Sequence, residues 1–148
     1  SERIAMPTTK DVIISVLGTQ KYDGQDDVNR VELITDGTLT HDGDKYRISY
    51  LESEMTGLEG TQTTFEVERH RITLTRTGAV NSQMIFEEGR RHESLYDVGF
   101  GALLIGVRAR KVQSSLDEHG GNFRMEYTIQ VDNDVSAVNR YEVTVREA

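Results

Sequence analysis

Two charged residues stand where a β-sheet protein would place apolar ones, and they set the chemical question. Alternate positions of segment 45–54 carry Tyr46, Ile48, Tyr50 and Glu52; those of 71–77 carry Ile72, Leu74 and Arg76. Strand side chains alternate between two faces, so Glu52 and Arg76 are expected on the same dry face as their apolar neighbours. An unpaired buried charge is costly, so each needs a partner or water. The parity predicts that they lie near each other at one end of an enclosed interior. Two kinds of chemistry follow. In the first, Glu52 and Arg76 form an ion pair that closes that end. In the second, Arg76 and Glu52, with the hydroxyls of Tyr50, Tyr96 and Tyr127, receive the polar head of a bound amphipathic molecule.

Other chemistry finds weaker support. His41, His70, His92 and His119 are isolated, lie at or near expected turns and lack the spacing of metal ligands. They read as solvated turn residues. YDGQDD at 22–27 and HDGD at 41–44 carry carboxylates beside glycine, but neither follows the calcium-loop order of ligands. No metal is expected. There is no G-x-S-x-G elbow, Walker A loop or dinucleotide-binding glycine fingerprint, so no cofactor is expected either. An enzyme with a site assembled at a barrel mouth is kept as an alternative. Arg108, Arg110 and Lys111, with Arg90 and Arg91, form a basic cluster that reads as a solvated strand end. Nucleic-acid faces usually add exposed aromatics; here the nearby aromatics fall on the inward parity.

These side chains must be positioned by strands. Period-two alternation runs through almost the whole chain, most clearly in NFRMEYTIQV, where Phe123, Met125, Tyr127, Ile129 and Val131 share one face. Inward positions elsewhere include Met84, Phe86, Tyr96 and Val98, with Phe100 just beyond. Strands are predicted over 9–22, 27–41, 45–54, 61–69, 71–77, 80–88, 91–99, 102–116, 122–132 and 137–147, with a loop over 55–60. Asp23-Gly24, Asp42-Gly43 and Gly120-Gly121 suit hairpin turns. Asp36-Gly37 suggests a bend or bulge within the second strand. In 102–116, Leu103, Ile105, Val107 and Ala109 point inward, but strict alternation would then bury Lys111 and expose Val112. A β-bulge near Arg110–Lys111 is therefore predicted, turning Val112 inward. Short connections between successive strands predict an up-and-down meander, and closing it into a barrel hides its edges. The fold class is all-β: a single closed antiparallel up-and-down barrel of 8–10 strands.

The chain has 148 residues, enough for one domain with one core. Residues 9–148 read as the barrel and 1–8 as a disordered N-terminal segment. With 17 basic against 25 acidic residues and a net charge of −8, nucleic acid and anionic membranes are not expected partners. The absence of cysteine rules out disulfides and thiol catalysis. No apolar run approaches the length of a membrane helix, no signal peptide is apparent, and the chain reads as cytoplasmic.

The segment from Arg76 to Val131 resembles the YwiB-like family of bacterial proteins. The resemblance rests on RTGAV at 76–80, Phe86 and Gly89, Tyr96, Phe100-Gly101, Leu116-Asp117, Gly121 and Tyr127. Upstream, Gly37 and the pair Tyr50 and Glu52 match the spacing, so it covers most of the chain from about residue 31 onward. Gly99 departs from the family, which often has proline there. The resemblance implies a calycin-like (lipocalin-type) β-barrel and no particular activity. The reading that follows is a non-enzymatic barrel binding a small amphipathic or hydrophobic ligand in its lumen. The runner-up is a protein–protein interaction or structural module with a packed core. A free barrel edge or an apolar outer face would support a homodimer.

Overall fold

Alternating apolar residues fix an inside and an outside for each strand, and the strands close into one wall. The computed structural model describes residues 6–97, 101–131 and 134–148, with the side chains of 135 and 136 left aside. It comprises β1 (Thr8–Tyr22), β2 (Val28–Asp42), β3 (Lys45–Leu51), β4 (Thr61–Val67), β5 (Arg71–Gly78), β6 (Asn81–Glu87), β7 (Arg91–Asp97), β8 (Ala102–Asp117), β9 (Gly120–Val131) and β10 (Asp134–Glu147). Each strand pairs antiparallel with the next, and β1 pairs with β10, Val12 to Tyr22 running against Glu147 to Ala137. The predicted meander is a closed barrel of ten strands among the described residues.

Most of the predicted inward positions are buried; Tyr46, Tyr96, Ile129 and Val131 are half-buried, and Leu103 is 57% exposed. Ile48, Phe65, Ile72, Phe86, Val107, Phe123 and Val143 are fully enclosed. Phe65 and Phe123 pack with their ring centroids 5.1 Å apart, filling the half of the barrel nearer the β2–β3, β4–β5, β6–β7 and β8–β9 turns. The expected inward positions of Val98 and Phe100, and the Gly99 departure, lie outside the described residues.

The bulge on β8 is present. Its register against β9 shifts between Ala109 and Lys111, and Val112 then pairs with Met125 and packs on the core. The β6–β7 turn holds the bulge in place. Gly89 donates its backbone N–H to the Ala109 carbonyl at 3.1 Å, and the Glu88 carboxylate accepts from the Val112 N–H at 2.8 Å. Between β6 and β7 themselves the described residues form just two ladder pairs, Asn81–Asp97 and Ser82–Tyr96.

Three expectations are corrected. No bulge interrupts β2 at Asp36-Gly37; the ladder with β1 runs straight through. Gly37 is there for space: a Cβ would lie 2.3 Å from Ile14 Cδ1 and 2.4 Å from the Ser49 carbonyl oxygen. Gly120-Gly121 is not the hairpin turn, which falls on Glu118-His119. The two glycines open β9, where their backbones press against β10 and β8. The third strand ends at Leu51, short of residue 54. There the chain enters a single 3₁₀ turn, Glu54–Thr56, capped by the Ser53 hydroxyl, which accepts from the Met55 N–H.

Candidate functional site in the barrel lumen

Cross-strand register builds the site. Tyr50 faces Thr63, Thr63 faces Arg76, Arg76 faces Ser82, and Ser82 faces Tyr96. These residues form one inward row around the wall, close to the β1–β2, β5–β6 and β9–β10 turns. Opposite them a second row runs from Tyr127 to Asn139 to Gln20 to Asn29. Between the rows lies a cavity of about 380 Å³. Leu74, Met84, Ile105 and Ile129 supply apolar lining; Arg76, Tyr96, Tyr127, Tyr141, Asn139 and Gln20 supply polar groups. Tyr127 leans on Phe86, centroid to centroid 4.6 Å, so the packed half of the barrel forms the floor.

Glu52 and Arg76 are both buried, 7% and 9% exposed, at the same end of the barrel. They do not form the expected ion pair. Glu52 accepts hydrogen bonds from the Thr63 hydroxyl at 2.6 Å and the Thr56 hydroxyl at 2.7 Å. Thr63 sits on the strand between them, directly opposite Arg76, and it occupies the carboxylate. Arg76 is left with its Nε buried and without a hydrogen-bond partner. Of the five predicted residues, Arg76, Tyr96 and Tyr127 line the cavity. Tyr50 and Glu52 belong to the adjoining wall, on the far side of Thr63.

Burial pushes the Tyr127 phenol well above its ordinary range, neighbouring Tyr141 adds to this, and the Arg76 charge opposes it. Tyr50 is raised in the same direction, first by burial and then by the Glu52 charge and by Tyr141, again against Arg76. Both hydroxyls therefore keep their protons and can donate at neutral pH. A phenol whose folded pKa exceeds its unfolded value stabilises fully below the unfolded value, about 10, and loses that contribution as pH rises beyond it. Stability is expected to fall above about pH 10 by roughly 1.4 kcal/mol per pH unit for each of the two tyrosines. Urea midpoints measured from pH 9 to 11.5 check this, and Tyr127→Phe should flatten the slope.

Asn139, Ser82, Gln20 and Tyr141 were not anticipated as site residues. The signal for two of them was present: Asn139 shares parity with Tyr141, Val143 and Val145, and Ser82 with Met84 and Phe86. A polar residue on an apolar face is the same sign that picks out Arg76.

Other features are less instructive. Among the described residues, hollows of about 580 Å³ at the opposite mouth and about 620 Å³ on the outer face of β1, β2 and β10 contain no buried side-chain polar atom that lacks a partner. Of the histidines, His70 and His119 are exposed as expected, and His41 and His92 are less solvated. His41 stacks on Tyr46 at 4.5 Å, and His92 meets the Glu87 carboxylate at 3.2 Å. In the basic cluster, Arg91 pairs with Glu93 at 2.7 Å and Arg90 with Glu87 at 3.8 Å, while Arg108 and Arg110 are exposed. No helix among the described residues is long and apolar enough to cross a membrane.

Comparison with known proteins agrees with this architecture. A family described as a domain of unknown function (DUF1934) matches residues 14–144. The chain is 26% identical over 133 residues to the uncharacterized beta-barrel protein YwiB of Bacillus subtilis, covering 90% of this chain and 91% of that protein. The crystal structure of ywiB protein from Bacillus subtilis superposes with a TM-score of 0.84 at 23% identity, over 95% of this chain and 93% of the other. That likeness carries the fold.

Proposed function

Since the chain belongs to the DUF1934 family, whose description assigns no activity, we propose a function from the barrel itself: non-catalytic binding of one small amphipathic or hydrophobic molecule in the lumen. The observation that carries this reading is the cavity of about 380 Å³ above the Phe86–Tyr127 floor. It exceeds the roughly 300 Å³ at which small-molecule pockets begin, and it combines apolar walls with a few convergent polar groups. Arg76, Tyr96 and Tyr127 meet the polar end of the ligand, and Leu74, Met84, Ile105 and Ile129 meet its body. Glu52 and Tyr50 support the wall behind Arg76.

Two measurements test it. Native mass spectrometry of protein purified gently from its source is expected to show a retained small molecule. Titration with the neutral apolar probe N-phenyl-1-naphthylamine is expected to give one-to-one binding, weakened at least about tenfold by Ile105→Trp, which fills the cavity. Absence of probe binding would overturn the reading, and a stoichiometric co-purifying protein would point to an interaction module instead.

A second reading, an interaction module, is favoured by the outer face. Ile34 and Met55 are 75% and 82% exposed beside the groove on β1, β2 and β10. The β2–β3 ladder covers Thr38 to Asp42, and among the described residues no strand pairs with Val28 to Gly37 on that side. A homodimer seen by light scattering and lost in Ile34→Lys would support it.

A further inference from the structure

The lumen leaves a particular set of groups unmatched. Among the described residues, three buried side-chain polar atoms have no hydrogen-bond partner: Arg76 Nε, Ser82 Oγ and Asn139 Nδ2. Arg76 and Asn139 line the cavity, and Ser82 stands between Arg76 and Tyr96 in the row. All three can donate. Arg76 can only donate, and it carries a positive charge. Asn139 has its acceptor occupied, because Gln20 Nε2 donates to Asn139 Oδ1 at 2.8 Å; its amide N–H groups are what remain. The nearest buried carboxylate, Glu52, is taken by two threonine hydroxyls. Native interiors rarely leave buried donors unmatched, and each such group calls for an explanation.

We infer that the head group of the lumen's ligand is an anion, a carboxylate or a phosphate monoester, held by Arg76 and Asn139, with Ser82 behind them in the wall. This rests on the reading of the barrel as a lumen binder and deepens it. A neutral head would leave the Arg76 charge uncompensated, and a cationic head would add a second positive charge beside it. An anion supplies acceptor oxygens to the two donors that line the cavity, Arg76 and Asn139, and cancels the charge. Charge-assisted hydrogen bonds of this kind are stronger than neutral ones. Tyr127, whose phenol keeps its proton, adds a further donor on the floor.

The test compares four ligands with one ten-carbon tail: decanoate, decyl phosphate, decanol and decyltrimethylammonium, each displacing N-phenyl-1-naphthylamine. At least one anionic ligand is expected to bind about ten- to a hundredfold more tightly than decanol. Decanoate against decyl phosphate identifies which head fits. Arg76→Met should erase the advantage over decanol, with circular dichroism and a cooperative urea transition showing that the barrel is intact. Asn139→Ala should reduce it partly. If the probe binds but decanol or the cation binds as tightly as the anions, the anionic inference fails and lumen binding stands. If the probe does not bind, both fall together.

Discussion

Replacing Gly121 by alanine is expected to destabilise the barrel by about 3–5 kcal/mol, combining backbone strain with overpacking. Gly121 holds φ at +135°, which L side chains rarely adopt. A Cβ there would lie 2.0 Å from the Ser115 carbonyl oxygen. That oxygen is backbone, so it moves only if β8 moves with it. Gly120 beside it has the same difficulty against β10, where the Val145 oxygen would be 2.3 Å away. The pair therefore works at the point where β9 is pressed between two neighbours. Gly43 provides the control. Its φ is +61° with open space around it, so Gly43→Ala should cost only about 1–2 kcal/mol from backbone conformation. Urea midpoints of the two variants make the comparison. Equal losses would show that the close approach at Gly121 relaxes freely.

Arg76→Met is expected to do the opposite, raising stability by about 1–3 kcal/mol. Arg76 is 9% exposed, without an ion pair among the described residues, and its Nε is unmatched. Methionine keeps an unbranched stem against Leu74 and Met84 and brings no charge into the wall. The gain should appear in ligand-free protein and shrink when an anionic amphipath is present, because the bound anion stabilises the arginine form more than the methionine form. A loss of stability in ligand-free Arg76→Met would show that the arginine stem itself holds the wall together. An arginine that weakens the empty barrel is the expected signature of a residue kept for binding.

Much of this was legible in the sequence, for one physical reason. In a barrel a single bit, inside or outside, is repeated at every second residue. The apolar faces of β3, β5, β6 and β9 could be read directly, and the polar intruders Glu52 and Arg76 stood out against them. Even the β8 bulge was visible, because Lys111 and Val112 break the alternation in the sense one extra residue repairs. What parity cannot supply is register. The position of Thr63 opposite Arg76 depends on how β4 slides against β5, and nothing local specifies that slide. The expected Glu52–Arg76 pair failed there. The glycines misled for a related reason. Gly120-Gly121 resembles a turn because both glycines need unusual backbone freedom or space, but the crowding comes from strands distant in sequence. Gly37, Gly78 and Gly121 all carry the family resemblance. In each case a Cβ would meet a backbone oxygen of a neighbouring strand or turn within 2.4 Å.

The pairing of β1 with β10 also bears on how the chain is made. The first strand can bind β2 as soon as that hairpin leaves the ribosome, and β3 to β9 can follow in order. The other edge of β1 waits for residues 137–147, its partners in the finished wall. Throughout synthesis the nascent sheet therefore carries an open, partly apolar edge at each side, the kind of template that recruits other chains. Closure brings together residues more than a hundred positions apart, the slowest kind of contact to form. The last strand delivered both closes the barrel and brings Asn139 into its lumen, so a nascent chain has no complete pocket until its exposed edges are gone.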